Sequence, residues 1–544
     1  MVFVAVEAFA LALWMAAGRY LWFYLDDWDF LAARRSGDIG DLFRPHNEHW
    51  TTVPILIYRV LFHMYGLQSY TPYRFVGVVV YLALAALLFV LMRRVGVHPW
   101  IATVIASRFA LFGAGAQNIV RPFQLTFNGA LAFGLLHLLL ADHDGPFDRR
   151  DRFGLAAGFV GLMMSGVAVP MVIAVGITVL WRRGWRMALL HTAPLGACYT
   201  LWWLVIGHTG SVLKLGPQAP VTISGVYGFV ESGLRGSFSG LGHVKGFGIV
   251  LAVLFVIGLP FAWIVRRGPR RDDASLPPVV AALRAGRRAE LGAPVGLVVA
   301  AIVFLAITAL GRSSFGSEYA RIGRYVSITS AMLVPALGVA VDAIVARRRV
   351  LLIAGLVILV LGFQPNLVDN FGPHDEFLQG DAATRIMMLT IPRDPVALHV
   401  PRSLHPETVL ARPVTIGWLL DSFGQHRIPA PRRITKAQLT SNRFRMSFDQ
   451  EHADAPTTNC QIVRATVFMS LAKGDVIGLS ENALFVVPEN RASLAGYPLR
   501  FLPSAGRAIF VVRKTGVVRF VPATPPYWPK VCVVHAPDAR TPAP

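Results

Sequence analysis

Charge is scarce in this sequence. Only 15% of its 544 residues are Asp, Glu, Lys or Arg, against about 25% in an ordinary soluble domain, which excludes a chain built around one water-surrounded core. Cysteine is scarcer still: Cys198, Cys460 and Cys532 are all there is. No CxxC and no Cys/His zinc spacing occurs, so the thiol–metal and thiol–redox motif classes are excluded. There is no GxxxxGK[ST] phosphate loop and no GxSxG elbow, and "GAGAQN" lacks the strand–turn–helix setting of a dinucleotide site. The N-terminus carries no basic n-region and no dominant small-residue cleavage site, so it reads as a retained helix rather than a removed signal.

What is abundant is apolar sequence, 54% of the chain. Uncharged runs long enough for a bilayer core recur, which predicts a polytopic α-helical membrane protein. Eleven candidate spans fall at about 2–24, 72–92, 97–115, 119–141, 153–167, 168–181, 187–207, 246–265, 293–311, 325–346 and 350–364. The fifth and sixth are short and meet at "SGVAVPM", where Gly166 and Pro170 can break a helix. The net charge of +21 reads as a topology signal and not as a nucleic-acid footprint, because the arginines gather in alternate short loops. With the N-terminus inside, the inner loops carry Arg93 and Arg94; Arg149, Arg150 and Arg152; Arg182, Arg183 and Arg186; Arg266 to Arg288; and Arg347 to Arg349. Fusing spans five and six would throw the later basic loops outside, so two short spans are expected.

Three segments then face outward: the loop from Leu25 to Thr71, the Gly/Ser-rich loop from His208 to Lys245, and the tail after Gln364. Residues 51–65 are apolar but short, which suits a helix lying at the interface. The domain boundary is expected near 365: a transmembrane part over 1–365, and an extracytoplasmic part over 366–544 that is β-rich by its alternating runs and turn residues. In an oxidising compartment Cys460 and Cys532 have the option of a disulfide.

Four constellations carry possible chemistry. Asp26 and Asp27 end the first span among Trp22, Tyr24, Trp28 and Phe30, with Asp29 as a third carboxylate. They either end a helix in water or sit in a partly apolar cleft as a general base. His46, Asn47, Glu48 and His49 are polar loop residues bonded to one another, a sugar-hydroxyl site, or ligands for a divalent metal (His46, Glu48, His49). Arg312, Arg321, Arg324 and Tyr325 either snorkel at headgroup level or bind a phosphate. Asn118, Arg121, Gln124 and Asn128 make interhelical hydrogen bonds or line a cavity at membrane depth. Asp142, His143 and Asp144 read as a solvated inner loop. No cofactor is fixed by the sequence; a divalent metal stays open.

With "DDW", "PHNEHW", "NIVRPFQLTFNGALAFG" and "GRYVSITSAMLVPAL" in view, the chain resembles the GT-C superfamily of integral membrane glycosyltransferases, and within it actinobacterial membrane proteins carrying these stretches. The resemblance covers roughly residues 20–345. It implies an inverting sugar transfer from a polyprenyl-phosphate-linked donor on the outer face of the plasma membrane. A cell-envelope glycan, lipid or protein would be the acceptor, and Asp26 the base, with Asp27 second. The residues also leave open a transporter or flippase of lipid-linked glycans, or a non-catalytic envelope-assembly protein. A transporter would place its ionisable groups nearer the bilayer midplane, often with inverted repeats; here they cluster at span ends.

Overall fold

The computed structural model describes residues 1–34, 37–210, 221–267, 290–345, 349–361, 363–364, 375–407, 410–431, 433–451, 459–481, 484–488, 499–501, 508–522 and 528–535. Most of the basic stretch 268–292, Arg347 and Arg348, and the centre of "FVPATPPYWPKV" lie outside them.

Each of the eleven apolar runs contains a helix: Val2–Ala17, Thr71–Arg94, Pro99–Ala110, Leu125–Ala141, Arg149–Met164, Ala168–Arg183, Trp185–Val205, Phe247–Arg267, Gly292–Arg312, Gly323–Val345 and Arg349–Val360. By length and composition six helices among the described residues can cross a membrane. The protein is a polytopic helical membrane protein. Its apolar side chains outnumber what its interior can hold: along Phe247–Arg267, Ile249, Val253, Val256 and Ile257 are exposed while Leu251 and Ala262 are buried. A continuous apolar exterior of this kind suits lipid, not water. Between helices, close approach relies on small residues, as membrane packing demands. A Cβ on Gly258 would come within 2.5 Å of the Ala340 carbonyl, and one on Gly296 within 2.7 Å of that of Ala174.

The chain does break between the fifth and sixth runs. Ser165 is extended (φ −173°, ψ 155°) after Arg149–Met164, and the next helix starts at Ala168. Pro170 falls in that helix's first turn, where its missing N–H costs nothing.

Three features differ from the sequence reading. The first helix ends at Ala17 and not near 24: Gly18 follows as its C-cap, and Leu21, Trp22 and Phe23 lie in the core outside any helix. The Gly/Ser-rich segment expected as a loop holds a 20-residue helix, Ile223–Gly242, N-capped by Thr222; its glycines admit close neighbours such as Leu305 at Gly233. The tail is β-rich only from Phe448 onward. Before that it forms helices at Asp375–Thr390, Ile416–Gly424 and Lys436–Arg445.

The strands are β1 Phe448–Glu451, β2 Cys460–Ile462, β3 Val467–Leu471, β4 Val476–Glu481, β5 Leu484–Pro488, β6 Leu499–Phe501, β7 Ala508–Val512, β8 Gly516–Pro522 and β9 Lys530–Val534. They form one sheet in the order β1-β7-β4-β9-β2 and another in the order β3-β8-β5-β6. All the pairings are antiparallel. Ile477, Phe510 and Val531 of the first sheet share one core with Leu471, Val518 and Phe520 of the second, so the two pack face to face. Cys460 and Cys532 are cross-strand partners on β2 and β9 and are disulfide-bonded.

Candidate functional site

The site grows from the turn that ends the first apolar run. Leu25 takes a positive φ (45°, ψ −104°), a conformation that a residue with a Cβ rarely adopts. It reverses the chain, and a short helical turn, Asp26–Trp28, follows. An aromatic cluster seats that turn. Phe23 lies 4.7 Å from Tyr70 and 4.9 Å from Tyr73, and Trp28 lies 5.5 Å from Trp22 (ring centroids). Each such pair contributes about 0.5–1.5 kcal/mol beyond area burial.

The turn sends the two aspartates to different environments. Asp27 is only 1% exposed. It accepts hydrogen bonds from the Tyr58 hydroxyl, the Tyr70 hydroxyl (2.7 Å) and the Tyr24 N–H (2.9 Å). Burial nevertheless pushes its carboxyl up to about 6, against those hydrogen bonds and the Arg121 charge. The Asp26 side chain is 42% exposed, so it is the carboxylate of the pair that a ligand can reach.

His46 faces both Asp26 and Asp29. Its Nδ1 donates to Asp29 Oδ2 (2.8 Å), and its Nε2 stands 3.3 Å from Asp26 Oδ1, close enough to pair but not aligned as a hydrogen bond. Burial alone would lower this ring, but Asp26 and Asp29 outweigh it and raise its pKa to about 9. Burial likewise opposes ionisation of Asp29, yet His46 and Arg34 hold its carboxyl at about 2. The centre is therefore an imidazolium between carboxylates. Arg34 fixes the far side: its guanidinium donates to Asp29 and to the carbonyls of Asp41, Arg44 and Pro45. Phe30 and Phe123 close on the His46 ring at 5.4 and 5.1 Å.

"HNEH" is a tight two-residue turn. His46 and His49 exchange backbone hydrogen bonds (3.0 and 2.9 Å), and Asn47 has φ 52°, which an asparagine tolerates better than most. Gly210 passes so close to the Asn47 carbonyl that a Cβ would lie 1.9 Å from it. The side chains of the turn diverge. Glu48 pairs with Arg312 (3.0 Å). His49 turns to Phe127, 5.7 Å away, and to the wall at Gly166; its Nδ1 is shut from solvent without a hydrogen-bond partner. Burial lowers this ring to about 4, so it is neutral. His46, Glu48 and His49 thus point to three different partners. Among the described residues, the group whose ligand atoms converge is elsewhere: His143, Asp148 and Asp151.

That second cluster corrects the reading of Asp142, His143 and Asp144 as a solvated loop. Asp142 and His143 are buried. Arg182 bridges Asp142 and Asp144, and Arg183 grips Asp151 at 2.6 Å with His191 at 3.0 Å from the same oxygen. A guanidinium already sits where an ion would, so the cluster reads as an ionic clamp between helix ends.

Around the His46 centre, Arg121 donates to the Trp22 carbonyl and lies over the Tyr24 ring. Asn118 donates to the Arg324 carbonyl, and Asn128 donates to that of Asn118. Asn118 Oδ1 and Gln124 Oε1 are buried and accept no hydrogen bond from the protein, acceptors that a bound hydroxyl would satisfy. Arg324 lies over Tyr325. Arg321 goes elsewhere: it pairs with Glu318 and lines a cavity of about 620 Å³ with His243 and Lys245. The structure thus pairs Asp26 with His46 and Glu48 with Arg312, two separate contacts made from one turn, sets Asp27 in a tyrosine cage, and separates Arg321. Asp29's bond to His46, Arg34, Tyr58 and Tyr70 were not assigned roles from sequence. Only Asp29 gave a signal, as the third acid of "DDWD".

No protein-family model matches the chain, and no curated protein matches it. Two solved structures of ArnT from Cupriavidus metallidurans are similar in fold. One is bound to undecaprenyl phosphate (14% identity, 81% of this chain and 87% of that chain covered, TM-score 0.44), and one is in the apo state (15%, 80% and 86%, 0.41).

Proposed function

We propose that this protein is an inverting membrane glycosyltransferase that moves a sugar from a polyprenyl-phosphate-linked donor to a cell-envelope glycan, lipid or protein on the outer face of the plasma membrane. The observation that carries the reading is the division of labour at one turn. Asp26 is a reachable carboxylate beside a buried imidazolium, and Asp27 is locked behind it.

Outside the cytoplasm a sugar donor must be carried on a lipid, and a polyprenyl phosphate already departs well as an anion. The reaction then needs a base for the acceptor and positive charge for the leaving group. In this reading an acceptor hydroxyl oxygen attacks the anomeric carbon from the face opposite the phosphate. Its proton passes to an Asp26 carboxylate oxygen. The bond from the anomeric carbon to the phosphate oxygen breaks, its electron pair leaves with the polyprenyl phosphate, and configuration inverts. Arg312, held at the site by Glu48, and Arg324 are placed to meet the phosphate. Arg321 contributes from its own cavity only if the donor extends that far. Asn118, Arg121, Gln124, Asn47 and His49 are the polar wall for sugar hydroxyls, and Tyr325 a stacking face. If a divalent metal takes part, His49 Nδ1 and Glu48 Oε2, neither of which holds a hydrogen bond within the protein, are its candidate ligands.

The outward placement of this end, the cytoplasmic N-terminus and an extracytoplasmic part after about residue 365 belong to the same proposal. The Cys460–Cys532 disulfide supports them, since such bonds persist in oxidising compartments. So does the gathering of Arg94, Arg182 and Arg183 with Asp142 and Asp151 at one end of the helices.

The test is transfer by purified protein from a panel of synthetic polyprenyl-phosphate sugars, wild type beside Asp26→Asn and Asp27→Asn. Transfer that Asp26→Asn abolishes in a folded protein supports the reading. Donor binding with no transfer, unchanged in both variants, would favour the flippase instead.

A further inference from the structure

The tail meets the catalytic turn directly. Leu410 offers its carbonyl to the N–H of Leu25 (3.0 Å), the residue whose positive φ creates the turn. Trp418, on the helix Ile416–Gly424, donates its indole N–H to the carbonyl of Leu31 (3.2 Å). The same indole meets Trp28 edge to face (6.1 Å) and stacks on Phe62 (5.6 Å). Arg427 continues the seam, its carbonyl accepting from the N–H of Leu67 (2.8 Å) and its guanidinium lying over Phe62. Gly66 leaves room for that carbonyl, which would lie 2.4 Å from a Cβ there.

These contacts are themselves anchored. Thr415 caps the Trp418 helix through the Trp418 N–H, and Glu407, paired with buried Arg445, receives the N–H of Leu410. Both ends of the segment Leu25–Leu31 are therefore pinned by one rigid part of the tail, and Asp26, Asp27 and Asp29 lie between the two pins. A conformation that Leu25 does not adopt unaided persists only where its surroundings over-determine it.

We propose that Trp418 is a positioning residue: with Leu410 it holds the Asp26-bearing turn in its reactive geometry, so that the tail is a structural part of the site and not a spacer. The catalytic consequence rests on the glycosyltransferase reading; the mechanical one does not. Displacing a reacting group by about an ångström costs on the order of a hundredfold in rate, mainly in the turnover of bound donor, because Trp418 touches none of the residues assigned to phosphate.

The experiment uses full-length protein in lipid nanodiscs and compares wild type, Trp418→Phe and Trp418→Ala. Amide hydrogen exchange over residues 22–33 is read beside kcat and donor KM. The expected result is exchange faster by about fivefold or more in Trp418→Ala, the worth of one hydrogen bond with its ring contacts. Trp418→Phe, keeping the rings and losing the N–H, should fall between. Exchange in Thr71–Arg94 should not change. kcat should fall in the same order with KM within about threefold, since phosphate contacts are untouched. Unchanged exchange over 22–33 in both variants would overturn the proposal, whatever the activity. If wild type transfers no sugar but the exchange moves as expected, the clamp stands and the function fails. If Trp418→Ala does not fold, the Trp418→Phe comparison decides alone.

Discussion

His46 Nδ1 and Asp29 Oδ2 are 2.8 Å apart, and the pair is the electrostatic centre of the site. Its pH dependence has a definite sign. The folded pKa of His46, about 9, lies above the ordinary 6.5. The stabilisation is therefore fully present below about pH 6.5 and is lost as pH rises through 9. Its size is about 3 kcal/mol, from roughly 1.4 kcal/mol per unit. Asp29 shows the other flank: with its carboxyl held at about 2 rather than 3.8, its contribution is present above 3.8 and lost as pH falls through 2. Thermal unfolding in detergent should show a midpoint that declines between pH 6.5 and 9. Asp29→Asn should flatten that decline, because the ring then loses the closer of its two carboxylates.

Asp26 and Asp27 should separate by function. Asp26→Asn is expected to lower transfer by about 10²–10⁴-fold, the usual worth of a general base, with the melting temperature near wild type above about pH 9, where His46 is neutral and its pairing with Asp26 no longer contributes. Asp27→Asn should instead lower the melting temperature, because its amide nitrogen cannot accept a tyrosine hydroxyl. Single-turnover transfer and thermal unfolding on the same preparations check both. Equal rate losses at equal stability would contradict the division of roles.

The sequence and the structure agree where one physical rule governs. Each of the eleven long apolar runs does contain a helix, because a bilayer core sets a minimum length, and even the weak break at Ser165 followed from arginine placement. Agreement ends where contacts are long-range. Gly and Ser in 223–242 oppose helix formation in water, yet between packed helices they permit close approach, so the segment is helical. "DDWD" and "PHNEHW" looked chemically loaded, but which acid is exposed depends on Tyr58, on the helix Thr52–Tyr65, and Tyr70, which caps the helix Thr71–Arg94, with no spacing to betray them. Trp418 lies beyond the reach of any local pattern. Arg321 and Arg324 are three residues apart in sequence, yet only the fold sends them to different surroundings.

Arg312 offers a prediction about the donor. Its guanidinium is tied to Glu48 Oε1 at 3.0 Å, so Glu48 orients it. Arg312→Lys keeps the charge but not the planar fork, and should raise donor KM by about tenfold, a loss of about 1.4 kcal/mol. Glu48→Gln leaves the guanidinium in place without its ionic partner and should have a smaller effect in the same direction. Titration with inorganic phosphate as a competitor, wild type against both variants, checks the assignment. A phosphate inhibition constant indifferent to Arg312→Lys would place the leaving group elsewhere, with the Arg321 cavity as the next site to test.

Tyr58 and Tyr70 make the last prediction. Both hydroxyls donate to Asp27, and burial still leaves that carboxyl raised to about 6 from 3.8. A raised folded pKa means that protonation of Asp27 favours the fold: this contribution is fully present below pH 3.8 and is lost as pH rises through 6. Above pH 6 the buried anion depends on its tyrosines. Tyr70→Phe removes one donor and should push the Asp27 pKa higher, so the loss of stability becomes larger at pH 8 than at pH 5. At pH 8 the expected cost is about 1–3 kcal/mol, the penalty for an unmet hydrogen bond to a buried charged group. Tyr58→Phe should behave alike, and in an Asp27→Asn background the Tyr70→Phe penalty should be the same at both pH values. Unfolding midpoints of the variants at pH 5 and pH 8 decide the matter. A Tyr70→Phe penalty that is the same at both values would mean that Asp27 does not change its ionisation in this interval.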